Sequence, residues 1–193
     1  MSERTASVAK LNSIGLIEVS SIATGYLAQD AMLKAADVQL LLARTICSGK
    51  YLIVVGGDVA PVAASVEAGA GKCKGSLIEK RVITHVHADV FPAIGMSVDV
   101  PPGRMRALGV IETFSASSII DVADAAAKSA DVTLVRIHLA MALGGKGFVL
   151  LAGDIASVEA AVGTGSQVAA DDGILVGRAV IAAPSKELFR EFV

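Results

Sequence analysis

Charged and aromatic residues are scarce in this sequence, and neither sign of charge prevails. Charged residues make up 19% and aromatic residues 4% of the 193 residues, and tryptophan is absent. With 17 basic and 19 acidic side chains the formal net charge is −2, so the chain lacks the basic surface that nucleic-acid binding requires. Hydrophobic residues reach 53%, above the usual share in soluble domains. This excess predicts that part of the exterior is buried against other subunits.

Long apolar segments and cysteines are also few. No long apolar region follows the first residues, so we expect neither a secretory leader nor a membrane anchor. Residues 134–151 form the longest candidate span, but charged residues and glycines interrupt it, which excludes a membrane helix. Cys47 and Cys73 are the two cysteines of the chain. Without a leader, they indicate a reducing cytoplasm and no disulfide framework.

The sequence contains the same domain twice. Residues 15–18, Gly-Leu-Ile-Glu, are matched 94 positions later by Gly-Val-Ile-Glu, and Gly57-Asp58 recurs 96 positions later as Gly153-Asp154. Several such matches in the same order indicate an internal repeat. We therefore predict a first domain over residues 13–95, a linker over residues 96–106 and a second domain over residues 107–190.

Each copy has the pattern of strand, helix, strand, turn, strand, helix and strand. In the first copy, strands are predicted at residues 14–19, 38–43, 51–55 and 77–83, and helices at about residues 25–35 and 59–68. Asp58 and Asp154 are the predicted N-caps of the second helices. The glycines at residues 69–71 and 163–165 are predicted to end those helices. This order is that of a ferredoxin-like βαββαβ unit, an α+β fold.

A cysteine lies in the turn Thr45-Ile46-Cys47-Ser48-Gly49-Lys50, between two apolar strands. The turn should project from the end of a sheet. Free cysteine is usually a small buried hydrophobic residue, so a thiol at this place is a candidate for metal or redox chemistry. The matching turn of the second copy, residues 141–146, has no cysteine.

Other candidate sites are weak. Gly69-Ala70-Gly71-Lys72-Cys73 lacks the first glycine and the final Ser or Thr of a phosphate loop. His85 and His87 would share one face of a strand and form half of a metal site, but a third ligand is missing from the local sequence. Glu18 and Glu112 occupy matching strand positions, which a structural role explains. No nucleophile with a nearby base is apparent, so we predict that the protein is not an enzyme.

Four cations recur at matching places of the two copies. Lys34 and Lys128 fall late in the first helix, and Arg81 and Arg178 fall in the last strand. Solvated charge is the commonest state of Lys and Arg. Because these four residues recur, we predict instead a repeated lateral contact.

These motifs resemble a known family. Gly-Leu-Ile-Glu, Asp-Ala-Met-Leu-Lys-Ala-Ala-Asp-Val, Ser-Gly-Lys and Gly-Gly-Asp-Val-Ala together resemble the shell domain of bacterial microcompartments, and two unpermuted copies resemble the tandem-domain shell proteins. The resemblance implies a homotrimer that forms a pseudohexameric tile in a cytoplasmic microcompartment. It implies edge-to-edge packing with other shell proteins around enclosed enzymes. It also implies that Lys34, Lys128, Arg81 and Arg178 form tile-edge contacts.

The resemblance further implies a central axis lined by the two turns of each chain. The pore-lining residues would be Ile46, Cys47, Ser48 and Gly49 from the first copy and Leu143, Gly144 and Gly145 from the second. In members similar to the propanediol-utilisation type, three copies of this cysteine bind an iron–sulfur cluster, most simply [4Fe–4S]. Cys47 would then be the metal ligand, serving electron transfer or cluster exchange with an enclosed redox enzyme. The alternatives are an open metabolite pore without a cluster and a trimeric ligand-binding regulator.

Overall fold

A computed structural model describes residues 11–95, 98, 100–140, 143–185 and 187–188. The chain forms two compact units. The described residues up to Val86, except residues 46–48, form the first unit, and residues 46–48 together with the described residues from His87 onward form the second. The predicted linker falls partly outside the described residues, and its described part contains a 3-10 turn at Pro102–Arg104.

The first copy folds into four strands and two helices in the predicted order. Its elements are β1 (Ser13–Val19), α1 (Ile22–Ala35), β2 (Gln39–Ile46), β3 (Lys50–Gly57), α2 (Val59–Ala70) and β4 (Leu77–Thr84). The sheet order is β2-β3-β1-β4, and β1 pairs antiparallel with both β3 and β4. All seven residues of β1 are buried, as expected for a central strand.

The second copy repeats this order after one short additional helix. Its elements are α3 (Val90–Gly95), β5 (Ala107–Thr113), α4 (Ser118–Ser129), β6 (Thr133–Leu139), β7 (Gly147–Gly153), α5 (Ile155–Asp171) and β8 (Leu175–Ala182). The sheet order is β6-β7-β5-β8, the equivalent of the first sheet. The predicted α+β fold with two ferredoxin-like copies is confirmed.

Helix α1 begins three residues before its predicted start. Ser21 is its N-cap, and the side chain accepts a hydrogen bond from the Thr24 backbone N–H. Serine at this position satisfies one of the free amides of the first turn. Gly25 lies inside the helix, where an added Cβ would be 2.5 Å from Tyr51 Cδ1. Its function is close packing against β3 rather than initiation of the helix.

The prediction that glycines end the second helices holds for α2, whose C-cap is Gly71, although Gly71 has a right-handed φ of −60°. The prediction is wrong for α5. Helix α5 continues through Gly165 to Asp171. An added Cβ at Gly165 would be 2.7 Å from Ile111 Cδ1, and one at Gly69 would be 2.5 Å from Met32 Cγ. These glycines therefore let each helix pack closely on its neighbours. The left-handed glycines lie in the loops beyond the helices, at Gly75 with φ 78° and Gly173 with φ 68°.

The strand register corrects one part of the repeat. Positions of β4 and β8 that lie opposite equivalent residues of the central strands, such as Ile83 and Ile181, are 98 residues apart. Arg178 is therefore the equivalent of Lys80 and not of Arg81. Because side chains alternate between the faces of a sheet, Arg81 and Arg178 point to opposite faces of their respective sheets. Two extra residues in the second copy account for the shift, and they lie between Gly165 and the start of β8, where α5 is longer than α2.

Candidate functional site

Cys47 lies in a tight turn at the end of the β2–β3 hairpin. The turn comprises Cys47–Gly49, and Ser48 and Gly49 adopt left-handed conformations with φ of 64° and 72°. Two consecutive residues with positive φ match the right-handed twist of the flanking strands. An added Cβ at Gly49 would meet no described atom within 4 Å. The turn therefore projects from the sheet, as predicted.

The Cys47 side chain forms no disulfide and is half-buried. Within the second unit, its Sγ donates a hydrogen bond to the backbone carbonyl oxygen of Ala140 at 3.2 Å. Ala140 is fully buried and has φ 56°. Ile46 is also buried, whereas Ser48 and Gly49 are exposed. Among the predicted pore residues of the first copy, only those from Cys47 to Gly49 are accessible in the single chain.

The second turn is longer and has no thiol among its described residues. Gly144 and Gly145 have φ of 65° and 93°, and the Lys146 backbone N–H donates to the Leu143 carbonyl at 3.3 Å. Leu143 is half-buried, and Gly144 is exposed. Met141 and Ala142 lie outside the described residues. The two turns therefore offer different chemistry at equivalent places of the fold.

A lysine that follows each turn pairs with a glutamate of the central strand. Lys50 Nζ lies 2.7 Å from Glu18 Oε1, and Lys146 Nζ lies 3.0 Å from Glu112 Oε1. The Glu18 side chain is only 9% exposed, against 36% for Glu112. A carboxylate with so little exposure is stable when a cation pairs with it. Sequence reasoning missed this repeated pair, although both glutamates and both lysines stand at matching positions.

The two histidines do not form the proposed half-site. His85 lies beyond the end of β4 with φ 56°, so the strand geometry that would place both rings on one face is absent there. His87 Nδ1 accepts a hydrogen bond from the Asp89 backbone N–H at 3.3 Å. In the part of the chain that the structure describes, no three His, Cys, Asp or Glu side chains are grouped to hold a metal ion.

Cys73 is buried in the core of the first unit. Its side chain is 1% exposed, and Sγ donates to the Gly69 carbonyl oxygen at 3.1 Å. Burial raises the pKa of this thiol, because the low-dielectric interior disfavours the thiolate. Cys47 is therefore the thiol of this chain that is suited to ligation.

The predicted edge lysines each pair with an aspartate one turn earlier in their helix. Lys34 Nζ lies 2.7 Å from Asp30, and Lys128 Nζ lies 2.6 Å from Asp124. The Asp30 side chain is 62% exposed, whereas that of Asp124 is 12% exposed. The same helical pair is therefore open in the first copy and covered in the second.

The predicted edge arginines differ from each other. Arg81 pairs with Glu79 at 3.1 Å. Arg178 instead lines a cavity of about 330 Å³ between α5 and β8, together with Glu159 and Gly163. The two arginines therefore have different surroundings within the chain, and their contacts at a tile edge stay a prediction.

The chain matches the model of one protein family, the BMC domain, at residues 13–86 and 107–184. The chain belongs to the BMC domain family. It is 42% identical over 183 residues to the bacterial microcompartment shell protein PduT of Citrobacter freundii, covering 94% of this chain and 97% of that protein. It is also 34% identical over 86 residues to the carboxysome shell protein CsoS1 of Prochlorococcus marinus, and this match covers 43% of this chain and 84% of that protein.

A solved structure also resembles this chain closely. The crystal structure of a microcompartments protein from Desulfitobacterium hafniense DCB is 47% identical in sequence and has a TM-score of 0.90. The match covers 93% of this chain and 99% of that one. The protein is therefore a structural shell protein of a bacterial microcompartment, of the PduT type, rather than an enzyme. No helix in the described residues has the length and hydrophobicity needed to span a bilayer.

Proposed function

We propose that the protein is a homotrimeric shell tile in which three Cys47 thiolates bind one [4Fe–4S] cluster on the threefold axis. The observation that supports this proposal is the asymmetry of the two turns. The first turn carries a half-buried thiol that forms no disulfide, and the second has no cysteine anywhere in its sequence. A ring of six similar domains from three chains would therefore contain three thiols and not six.

A single chain is insufficient for such a site. Cluster binding takes about four ligands, mostly thiolates, and one chain supplies Cys47 alone, because Cys73 is buried. Symmetry overcomes this limit, since a closed trimer presents every residue near its axis three times. Three Cys47 residues would then ligate three irons, and the fourth iron would take a ligand from solvent or solute. A half-buried thiol outside any disulfide, in a projecting turn, fits this ligand set.

The residues around Cys47 would hold the ligand in place. The left-handed Ser48 and Gly49 close the turn, and the Glu18–Lys50 ion pair fixes the first residue of β3 to the central strand. On ligation the Cys47 thiol loses its proton, and with it the hydrogen bond to the Ala140 carbonyl. When bound, the cluster supplies one-electron transfer. We propose that the tile, packed against other shell proteins, passes electrons or clusters to an enclosed redox enzyme.

The test is iron and acid-labile sulfide analysis of protein purified under anaerobic conditions. Wild type is expected to contain about four irons per trimer, and Cys47→Ser is expected to lose most of them. Cys73→Ser is the matched control, since it removes a thiol that is buried away from the turn, and it should keep the iron. Wild-type protein without iron after anaerobic reconstitution, or a Cys47→Ser variant with equal iron, would refute the cluster.

An open metabolite pore is the second candidate. Three turn glycines, Gly49, Gly144 and Gly145, carry no side chains, and an added Cβ at each would meet no described atom within 4 Å. This geometry favours open space at the turn tips. In that case wild type and Cys47→Ser should both be free of iron and should assemble equally well into sheets in electron microscopy. The regulator alternative is set aside, because the chain belongs to the shell protein family.

A further inference from the structure

A cavity lies between α5 and β8, the last strand of the second sheet. We name it the α5–β8 cavity. Its volume is about 330 Å³, which is within the range of small-molecule sites. It is lined by Glu159, Val162, Gly163, Arg178, Ala179 and Val180. All six residues belong to the second unit, so the cavity is complete within one copy of the domain.

The first copy has an ion pair where the second copy has this cavity. Lys80 Nζ lies 2.6 Å and 2.8 Å from the two carboxylate oxygens of Glu67. Lys80 is the equivalent of Arg178 by the register of the last strands. Glu67 is the equivalent of Gly163, because α2 and α5 begin 96 residues apart. The second copy therefore keeps a cation on the strand and lacks the carboxylate that pairs with it.

The cation of the second copy is an arginine without a partner in the described part of the chain. There its side chain makes neither an ion pair nor a hydrogen bond. A guanidinium presents a planar fork of donors that fits a carboxylate through two parallel hydrogen bonds, whereas the ammonium of lysine is a point charge. Arginine in place of Lys80, at the edge of a cavity, favours a carboxylate that comes from outside the chain.

Gly163 keeps the space beside Arg178 open. Glycine inside a helix destabilises it relative to alanine. Close packing explains Gly165 of the same helix, but an added Cβ at Gly163 would meet no described atom within 4 Å. The packing of α5 therefore does not require glycine at this position. Room for a ligand next to Arg178 does.

A second charge lines the same cavity. Glu159 lies one helical turn before Gly163, at the position that Ala63 has in the first copy. No ion pair joins Glu159 to Arg178 among the described residues. An anion alone would be repelled by Glu159, and a cation alone would be repelled by Arg178. A molecule that carries both a carboxylate and an ammonium would be attracted by both side chains.

We propose that the α5–β8 cavity binds a small amino acid. Its carboxylate pairs with Arg178, its ammonium pairs with Glu159, and its side chain contacts Val162 and Val180, which are 3% and 37% exposed. The site goes beyond the proposed function, because it depends on neither the trimer nor the cluster.

Titration of isotope-labelled protein with L-valine tests the site, with the amide resonances of Gly163 and Val180 as the readout. L-Valine should shift both resonances to saturation. Two matched probes each lack one charge: isovalerate has no ammonium, and isobutylamine has no carboxylate. Each should bind at least about tenfold more weakly than valine, because it loses hydrogen bonds to a charged group.

Four variants locate the binding. Gly163→Glu restores the pair seen in the first copy, and Arg178→Gln removes the cation, so each should weaken valine binding at least about tenfold. Gly163→Ala controls for the change in helix stability and should weaken binding less than Gly163→Glu. Lys80→Gln changes the equivalent cation of the first copy and should leave binding unchanged.

Three results would overturn the proposal. Valine might shift neither resonance, or it might bind to Gly163→Glu as tightly as to wild type; either result would remove the site. Isovalerate that binds as tightly as valine would remove the role of Glu159 and with it the amino acid. Loss of sheet assembly in Arg178→Gln, without valine binding to wild type, would assign Arg178 to the predicted tile edge instead. Each result is independent of the iron content that tests the cluster.

Discussion

At the scale of single residues, the two cysteines have opposite properties. Cys47 is half-buried in a projecting turn, whereas Cys73 is 1% exposed with a raised pKa. The thiolate is the reactive form of cysteine. Because the pKa of Cys73 is raised, its thiolate fraction at pH 8 is smaller than that of an ordinary thiol.

Ellman's reagent should therefore modify one thiol per chain of native, metal-free protein at pH 8. Cys47→Ser should remove the fast reaction, and both thiols should react in denaturant. A higher pH should accelerate Cys73 only slowly, because its titration is shifted upward and its side chain is shielded. Fast modification of Cys73 in the folded Cys47→Ser variant would contradict its buried position.

The two glutamate–lysine pairs should differ in their contribution to stability. Glu18→Gln leaves Lys50 without its partner next to a nearly buried carboxamide, and it should lower the free energy of unfolding by about 1–2 kcal/mol. Glu112→Gln changes a pair in which both side chains are 36% exposed, so it should cost less than about 1 kcal/mol. Urea unfolding measures both. Equal losses would show that burial does not set the strength of the pair.

At the scale of secondary-structure elements, glycine in α5 has two distinct roles. Gly165→Ala would place a Cβ 2.7 Å from Ile111 Cδ1 and 3.1 Å from the Val122 carbonyl oxygen. The overpacking should destabilise the protein by roughly 1–3 kcal/mol. Gly163→Ala, in the same helix, meets no described atom within 4 Å and should stabilise it by about 0.5–1 kcal/mol. Thermal unfolding of both variants measures this difference. A Gly165→Ala variant that is more stable than wild type would refute the close packing of α5.

The element order could be read from the sequence, because apolar periodicity and the repeat agree. Asp154 caps α5 as predicted, since its carboxylate accepts from the Ser157 backbone N–H at 2.9 Å. Asp58 stands at the matching place, but its Oδ1 accepts from the Asn12 side chain at 3.0 Å. The length of α5 and the strand register could not be read, because tertiary packing of Gly165 overrides its low helix propensity.

The candidate site was predicted in part. The turn, its thiol and the different chemistry of the second turn follow from local sequence and from the repeat. The Cys47–Ala140 hydrogen bond joins residues 93 positions apart, and no local pattern encodes it. The equivalence of Arg81 and Arg178 failed because the insertion between Gly165 and β8 makes the strand register 98 residues rather than 97. The strand pairing identifies equivalent positions more reliably than the shared residue type of two arginines does.

At the scale of the whole molecule, the two copies of the repeat differ in how exposed their equivalent residues are. The Asp30–Lys34 and Asp124–Lys128 pairs have the same geometry but different exposure. Tyr26 and Leu40 of the first copy are 61% and 37% exposed, whereas the equivalent Ile120 and Leu134 of the second copy are fully buried. The proposed trimer would bring further copies of the chain to the open copy. The shell protein family and the proposed trimer are consistent with this difference.

Native mass spectrometry of protein purified under anaerobic conditions tests the central claim most directly, because one spectrum reports both the number of chains and the bound cluster. The account predicts a trimer that carries a single [4Fe–4S] cluster, and a Cys47→Ser trimer of the mass expected for three chains alone. A wild-type trimer without added mass after reconstitution, or a cluster bound to a single chain, would contradict it.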